Sequence, residues 1–579
     1  MRLFLVFIFI VLLSCEKKTE EVEKDFPTSF ETSQGKETAT YGEAIAFYIQ
    51  LAKEFPQINI QTIGETDSGK PLHMVTYNED GDFNFNKISE NKTIILINNG
   101  IHPGESDGID ATMLLYRDLV SGKIPAPKET VLVTIPIYNV GGSLNRNNAT
   151  RANQNGPESY GFRGNARNYD LNRDFIKNDT KNARTFAQIY HLTDPDIFID
   201  NHVSNGADYQ YTLTHLFTQH NKLGGELGSF LNTTIMPTLQ DSLAANGWDI
   251  TPYVNVFNQP PEVGFDQFMD HPRYSTGYTT LWNTFGLMVE THMLKPYKKR
   301  VEGTYELMKQ MIGIAEAKGD KIRALREEAL TRHRGWSYYP ISWKVDTTRT
   351  SLLNFKGFEV DTINSLVTGF PRLKYNREKS FTKEVSYKDY YMPSDSVKIP
   401  EAYIIKKSWS KILELLDLNK IEYNTIKDDT LLTVESYRID DFKTLNSPFE
   451  GHYLHYNTTL ETSVKEVSFE SGDILVPVDQ PGFRYIMETL EPKGTDSFFN
   501  WNFFDTILQQ KEDFSPYVFE DTALRLLKKD SLLRKTFLFK KENDAEFAEN
   551  WYSQLEWIYK KSDHYEKAHL QYPVYRILK

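Results

Sequence analysis

The N-terminal half of the chain alternates between segments with helical and with strand-like spacing of apolar residues. Residues 41–55 carry apolar side chains at helical spacing and Pro56 follows them, so we predict a helix that ends there. Residues 58–63 and 72–77 predict two strands around a hairpin-like turn. Further strands are predicted at residues 93–97, 131–137, 196–200 and 285–289, and further helices at residues 111–119 and 296–318. This alternation predicts an α/β fold, with a mixed, largely parallel sheet and helices on both faces.

The pattern changes in the C-terminal half. Residues 352–385 alternate apolar and polar positions in short runs and predict β-structure. Residues 400–426 predict a strand, a helix and a strand, and the chain from residue 523 onward is mostly helical in pattern and rich in Lys and Glu. We therefore expect one domain over residues 38–318, followed by a separate α+β accessory region over residues 319–579. We find no catalytic constellation in that region and predict no function for it.

Residues 1–15 have the pattern of a bacterial lipoprotein signal. The apolar residues 3–13 are too few to span a bilayer but suit the core of a secretory signal. Leu12-Leu13-Ser14-Cys15 resembles a lipobox, in which the cysteine becomes the lipidated N-terminus. Residues 16–37 predict a polar tether. We expect a lipid anchor at Cys15 and a place in the bacterial cell envelope, periplasmic or surface-exposed; the alternative is a secretory signal in which Cys15 has no role.

Length, composition and charge narrow the class of protein. A chain of 579 residues predicts two or three domains. Hydrophobic residues make up 40% and charged residues 25%, as in a soluble globular protein. The 66 basic and 79 acidic residues leave a net charge of −13, which argues against nucleic acid as a partner. Cys15 is the only cysteine, so the chain forms no intramolecular disulfide.

The segment after the predicted strand at residues 93–97 carries the most informative chemistry. It places His102 and Glu105 three residues apart in a turn that contains Gly and Pro, from which both can reach one zinc-sized cation. His202 follows the predicted strand at residues 196–200 and offers a third ligand. Two histidines and one carboxylate leave a tetrahedral metal one open position for water, which indicates a catalytic rather than a structural site.

Two further segments complete an ordered set. Asp170-Leu-Asn172-Arg173 lies between the two histidine segments, and Glu290 ends the apolar run at residues 285–289. The set resembles the zinc metallocarboxypeptidase family, of which carboxypeptidase A is the best-known member. The resemblance covers about residues 38–300 and implies one zinc ion per chain. It also implies peptide substrates with a free C-terminal carboxylate.

The resemblance implies a role for each carboxylate outside the metal ligands. Asp170 matches the acidic residue that accepts a hydrogen bond from the back of the first histidine and so fixes its tautomer. Glu290 matches the catalytic glutamate, which takes a proton from the attacking water and passes it to the leaving amine. Its position beside an apolar run also favours general base work, because desolvation raises the pKa of a carboxyl group. Asp170 as a turn-forming residue and Glu290 as an ordinary residue at a strand end are the alternatives.

The resemblance also implies the substrate-binding residues. Asn172 and Arg173 match the clamp for the terminal carboxylate, which a guanidinium can bind through two hydrogen bonds. Arg163 matches the arginine that stabilises the tetrahedral oxyanion, with Arg167 as its rival. Tyr274 is our candidate for the aromatic cap over the substrate end.

Tyr278 is the second candidate for the aromatic cap over the substrate end.

Other positions depart from the family pattern: Gly104 and His292 stand where arginine is common, and Asn139-Val-Gly-Gly142 replaces the usual Asn-Pro-Asp-Gly turn. These departures leave the predicted ligands intact but make the identity of the removed residue an open question.

We therefore expect zinc-dependent hydrolysis of the C-terminal amide bond of peptides. Two alternatives stay open. The same site can serve peptidoglycan stem peptides or N-acyl amino acids, since these also end in a free carboxylate. A non-catalytic binding protein on a peptidase fold is the third reading, although such a protein has no physical need for the full set of metal ligands, base and clamp.

Overall fold

The computed structural model describes residues 25–204 and 206–578. Cys15, the predicted signal and the predicted tether up to residue 24 lie outside the described residues. Among the described residues we find no helix whose length and hydropathy would suit a bilayer crossing.

The described part of the predicted tether packs on the domain. Thr28 and Glu31 form a capping box around a one-turn helix. Phe30 in this turn is buried, and the centroid of its ring lies 5.9 Å from that of Tyr297. Residues 25–37 therefore pack on the domain through Phe30, whereas the sequence pattern predicts a polar tether over residues 16–37.

The secondary structure alternates in the N-terminal half and becomes β-rich afterwards. The helices are α1 Ser29–Thr32, α2 Tyr41–Glu54, α3 Phe85–Asn91, α4 Asp107–Val120, α5 Val140–Leu144, α6 Lys181–Thr193, α7 His220–Leu223, α8 Gly225–Phe230, α9 Met236–Ala245, α10 Ser275–Thr280, α11 Tyr297–Thr331, α12 Ser410–Leu418, α13 Phe483–Leu490, α14 Pro516–Lys529, α15 Ser531–Asn543, α16 Ala545–Glu549 and α17 Trp551–Lys560. The strands are β1 Ile58–Glu65, β2 Pro71–Tyr77, β3 Thr93–Asn98, β4 Thr130–Ile135, β5 Ile197–Ser204, β6 Leu213–Phe217, β7 Ile250–Pro252, β8 Phe265–Asp266, β9 Phe285–His292, β10 Tyr338–Val345, β11 Ser351–Asn364, β12 Pro371–Lys388, β13 Tyr391–Lys398, β14 Ala402–Ile405, β15 Asn424–Thr425, β16 Thr430–Thr444, β17 His455–Phe469, β18 Ile474–Pro477 and β19 Gln571–Ile577.

The central sheet runs in the strand order β1-β2-β4-β3-β5-β9-β6-β7. Its centre is parallel, because β3 pairs in parallel with β4 and β5, and β5 pairs in parallel with β9. β2 and β6 join this centre antiparallel, at β4 and β9 respectively. The predicted α/β fold with a mixed, largely parallel sheet is confirmed.

Both faces of the sheet are buried, which explains why its central strands contain continuous apolar runs. On β3, Ile94 and Leu96 belong to one hydrophobic core and Ile95 and Ile97 to another. Successive side chains of a strand point to opposite faces, so each core takes alternate residues. The core on the side of α6 and α10 continues into the C-terminal half, while the other packs against α2, α4 and α11.

The long helix α11 starts where the sequence predicts but continues to Thr331, well beyond Lys318. Ile322 and Leu325 are buried and extend its apolar face. Gly319 allows the helix to approach β3 closely, because a Cβ there would lie 1.9 Å from Oγ1 of Thr93. The helix therefore spans the boundary that the sequence pattern places at residue 318.

The C-terminal half contains its own sheet, in the order β15-β18-β14-β19-β16-β17. The sequence predicts a mostly helical end, and α14–α17 fit that prediction, but the final segment is a strand. β19 pairs with both β14 and β16, so only long-range pairing reveals it. The C-terminal half also packs on the first: β12 pairs in parallel with β8, and the ring of Tyr485 stacks on Trp282 at 5.8 Å.

Candidate active site

Two neighbouring parallel strands bring the candidate metal ligands together. β3 and β5 pair in the register Asn98↔Asp200, so both strands end at the same edge of the sheet. His102 and Glu105 lie in the loop after β3, and His202 lies within β5. Nδ1 of His102 and Nδ1 of His202 lie 3.2 and 3.1 Å from the same oxygen, Oε2 of Glu105. These three buried side chains offer ligand atoms that all lie within 4.8 Å of one another.

The hydrogen bonding of both imidazoles fits a bound cation. Nε2 of His102 lies 2.9 Å from Oδ1 of Asp170, and Nε2 of His202 lies 2.9 Å from Oδ2 of Asp200. Each carboxylate can accept the outward N–H, which would leave the Nδ1 lone pair free for a cation held beside Glu105. Nδ1 of His102 is buried and has no hydrogen-bond partner among the described residues, which is costly. A zinc ion would satisfy this nitrogen, and the donor set is one that zinc prefers.

Asp200 is a residue that our sequence analysis missed as a partner of His202. The side chains of Asn98 and Ser275 donate hydrogen bonds to its two oxygens, at 3.1 and 2.5 Å. Asp200 and His202 are two residues apart on β5 and therefore share one face of the strand. That spacing, at the end of the run 196–200, is the signal that could have revealed it.

Arg151 is a second residue that the sequence does not reveal. Its Nη1 donates to Oε1 of Glu105 at 2.7 Å, while the backbone N–H of Val203 donates to Oε2 at 3.1 Å. Burial by itself raises the pKa of the Glu105 carboxyl. The charges of His102 and Arg151 outweigh burial and hold that pKa well below its usual value. Glu105 is therefore an anion in its buried site.

Glu290 lies on β9 directly beside His202, because β5 and β9 pair in the register His202↔Glu290. It lines the same cavity, of ≈220 Å³, as the three candidate ligands. Burial raises the pKa of Glu290 to about 7; the charge of His202 opposes this rise and that of Glu105 adds to it. A carboxyl group in such surroundings can exchange a proton near neutral pH.

The predicted clamp residues lie on the same cavity wall. Arg173, Asn172 and Tyr274 all line it, and Cζ of Arg173 lies 4.7 Å from the centroid of the Tyr274 ring. Oδ1 of Asn172 accepts from the backbone N–H of Ser275 at 3.1 Å, which ties the clamp segment to the segment that carries Tyr274. Tyr278, the second choice, is buried in the core behind this wall.

Arg163 also lines the cavity, whereas its rival Arg167 points elsewhere. Nη2 of Arg163 lies 2.8 Å from Oδ2 of Asp170, and its Nη1 lies 3.6 Å from Oε1 of Glu105. The Arg167 guanidinium stacks over Tyr169 at 4.9 Å from the ring centroid. Of the two arginines, Arg163 is the one placed near the candidate ligands.

The remaining cavity wall is largely aromatic and apolar, and our sequence analysis identified none of it. The side chains that complete this wall come from β6, β9 and the segments that flank β8: Leu216, Tyr253, Asn255, Phe257, Phe268 and Met288. Such a wall suits an apolar group of a ligand next to the polar groups that bind its charge.

The C-terminal half contacts the backbone of the two segments that carry the clamp residues. Oε2 of Glu450 accepts from the backbone N–H of Asp170 at 2.8 Å. Asp496 accepts from the backbone N–H of Arg273 at 2.8 Å, and its other oxygen pairs with Nη2 of Arg273 at 2.8 Å. Arg273 directly precedes Tyr274, so carboxylates of the C-terminal half hold both segments of the clamp.

Comparisons with known proteins agree with this geometry. Residues 44–204 match the sequence model of the family described as zinc carboxypeptidase. A comparison with curated proteins finds no match.

Similar solved structures include metallo-carboxypeptidases from two bacteria and an insect enzyme. The chain is 14% identical to a metallo-carboxypeptidase from Burkholderia cenocepacia, over 49% of this chain and 70% of the other, with a TM-score of 0.36. It is 13% identical to a metallo-carboxypeptidase from Pseudomonas aeruginosa in complex with (2-guanidinoethylmercapto)succinic acid, over 48% and 68%, with a TM-score of 0.36. For carboxypeptidase A from Helicoverpa armigera the identity is 14%, over 50% and 74%, with a TM-score of 0.36.

The family match covers the segment that holds all three candidate ligands, His102, Glu105 and His202. The position of these ligands around one point agrees with the zinc chemistry of that family. Residues 44–204 therefore match the zinc carboxypeptidase family, and the three side chains within this segment are placed to hold one metal ion.

Proposed function

We propose that this protein removes the C-terminal residue of peptides by hydrolysis of the last amide bond, with Glu290 as the general base. One observation carries the proposal: the candidate metal ligands, Glu290 and Arg173 line one cavity of ≈220 Å³. A base beside the metal site and a cation for the substrate's carboxylate are the groups that this reaction requires.

His102, Glu105 and His202 would hold the zinc ion. When bound, zinc supplies Lewis acidity, which polarises a carbonyl group and lowers the pKa of water to near 7. Glu290, beside His202, accepts a proton from the attacking water and returns it to the leaving amine. Its raised pKa suits both steps, because the carboxylate then holds a proton long enough to deliver it.

Arg173, Asn172 and Tyr274 would bind and orient the end of the substrate. The guanidinium of Arg173 binds the terminal carboxylate, and Tyr274 beside it covers the last residue. Arg163 would stabilise the negative charge that develops on the carbonyl oxygen, a role that fits its place next to the ligands. Asp170 and Asp200 are positioning residues, because they hold the two imidazole rings.

The aromatic and apolar wall beside the clamp supports a hydrophobic C-terminal residue as the residue removed. Peptidoglycan stem peptides and N-acyl amino acids share the free carboxylate that Arg173 would bind, so they are the second substrate class to assay. The signal pattern at residues 1–15 supports a lipid anchor at Cys15 and a site of action in the bacterial cell envelope.

Removal of one ligand tests the metal site. Purified protein should contain about one zinc per chain, and His102→Ala should lose most of it, since two remaining ligands bind zinc weakly. Metal analysis of both proteins measures this. His73→Ala is the control, because His73 lies on β2 beside Tyr41 and should leave zinc content unchanged. Full zinc content in His102→Ala would contradict the ligand assignment.

Replacement of the base separates chemistry from metal binding. Glu290→Gln keeps the size of the side chain but cannot accept the proton, so kcat should fall by roughly 10²–10⁴ while zinc stays bound. Kinetics and metal analysis on the same preparation measure both effects. Glu262→Gln, an exposed residue, should leave kcat unchanged. Near-normal kcat in Glu290→Gln would mean that another group is the base.

Replacement of Arg173 tests whether the enzyme recognises a free C-terminal carboxylate. Wild-type protein should cleave the last bond of a free peptide much faster than that of the amidated peptide. Arg173→Ala should chiefly raise KM for the free peptide and shrink this difference, because the discriminating interaction is lost. Arg167→Ala, on the same segment, is the control. Equal cleavage of both peptides by the wild type would exclude a carboxypeptidase.

Replacement of Glu450 tests whether the C-terminal half supports the clamp. Loss of its hydrogen bond to Asp170 should loosen the segment that carries Arg173, so Glu450→Ala should raise KM about 5–10-fold with kcat and zinc content nearly unchanged. Glu450→Gln, whose amide oxygen still accepts the hydrogen bond, should have a KM close to that of the wild type. Glu466→Ala, an exposed substitution on β17, is the control; an unchanged KM in Glu450→Ala would disprove the supporting role.

A further inference from the structure

A second cavity, of ≈360 Å³, lies between the two halves of the chain and shares no lining residue with the active-site cavity. Its walls come from the turn that joins α7 to α8, the turn after α11, strand β10 and helix α13. We call it the arginine pocket and define it by the residues that carry the argument: Lys222, Arg332, Trp336, Tyr339, Trp343 and Arg484.

Two guanidinium groups meet in the arginine pocket. Nη2 of Arg332 and Nη2 of Arg484 each donate to the carbonyl oxygen of Leu223, both at 2.7 Å. Gly225, at φ +60°, makes room for this approach, because a Cβ there would lie 1.9 Å from Nη1 of Arg332. One arginine at the end of α7 is ordinary helix capping. Two arginine side chains on one carbonyl oxygen bring two positive charges together in a mostly buried place.

The nearby carboxylates of Glu328 and Glu488 act on these arginines without a direct ion pair in the described part of the chain. Neither Arg332 nor Arg484 forms an ion pair with a carboxylate among the described residues. Glu488 is next to them, but it pairs with Lys222 at 3.4 Å and accepts from Oη of Tyr339 at 2.9 Å. Burial and the charge of Arg484 lower the pKa of Arg332 to about 10. An anion in the pocket would remove this repulsion.

Unused hydrogen-bond donors and aromatic rings accompany the positive charge. Nε of Arg332 and Nε1 of Trp343 are buried and have no partner among the described residues. The Arg332 guanidinium lies 5.3 Å from the Trp336 ring centroid. The exposed surface of the pocket is mostly apolar, with Tyr339 and Trp343 on its walls. The pocket therefore combines charge for an oxyanion with flat apolar surfaces for a ring or chain.

We propose that the arginine pocket binds a small organic anion, a carboxylate or a phosphate monoester carried on an aromatic or apolar group. The guanidinium of Arg332 contacts the oxyanion, and the aromatic walls, Trp343 among them, enclose the rest of the ligand. A volume of ≈360 Å³ lies at the lower end for small-molecule sites, which suits a ligand of one ring. This site stands independently of the function proposed for the active-site cavity.

Calorimetric titration of the purified full-length Arg173→Ala protein with four probes tests this site, because the intact clamp of the active-site cavity would itself bind an aromatic carboxylate. The probes are phenylphosphate, phenylacetate, inorganic phosphate and the neutral benzyl alcohol. At least one aromatic anion should bind at about one per chain, and more tightly than inorganic phosphate or benzyl alcohol. The stronger of the two aromatic anions shows whether a phosphate or a carboxylate is the natural group.

Matched variants locate the binding. Arg332→Gln should weaken the aromatic anion about tenfold or more, and Trp343→Ala, which removes one aromatic wall, should weaken it less. Arg334→Gln is the control on the same turn, because its guanidinium points to Asp479 and does not line the pocket. All of these substitutions are made in the Arg173→Ala protein, so that the clamp does not contribute to binding.

Failure of both aromatic anions to bind the Arg173→Ala protein would overturn the proposal. Unchanged affinity in both Arg332→Gln and Trp343→Ala would overturn it as well. If Arg332→Gln fails to fold, Trp343→Ala and Arg334→Gln still decide the outcome, since only the former should weaken the anion.

Discussion

The buried carboxylate of Glu105 is the feature on which the candidate active site depends. An isolated carboxylate at this depth would be unstable, so the fold surrounds it with positive charge and N–H donors. Arg151 binds one oxygen, while the other faces two imidazole rings and the N–H of Val203. Aspartates at 2.9 Å hold the far side of each ring. A divalent cation among these ligands would balance the remaining negative charge. The network that stabilises the buried carboxylate therefore also forms the candidate metal site.

Strand register gives this network its geometry. β5 lies between β3 and β9, and all three run parallel, so the groups that follow or end these strands meet at one edge. His202 and Glu290 occupy paired positions on adjacent strands, which places the candidate base beside a ligand without any flexible connection. A rigid arrangement of this kind costs little reorganisation when the substrate binds. The loop residues around it are then free to shape the substrate cavity.

The C-terminal half contacts the catalytic half through a shared core and through strand pairing. It shares a hydrophobic core with the face of the central sheet that α6 covers, and its strand β12 pairs with β8. Through Glu450 and Asp496 it also reaches the segments that carry Arg173 and Tyr274. The position of the proposed substrate-binding residues and the stability of this interface therefore depend on the same contacts.

The sequence by itself determined the α/β class and indicated the candidate ligands His102 and Glu105 and the candidate base Glu290, since apolar periodicity and short spacings are local properties. Tertiary structure alone revealed Arg151 as the partner of Glu105, because a salt bridge between residues 46 positions apart leaves no periodic trace. It also decided that β19 is a strand and that Glu450 contacts the clamp, 280 residues away in sequence. Contacts of this kind depend on how elements pack, and packing is set by the whole chain rather than by any one segment of it.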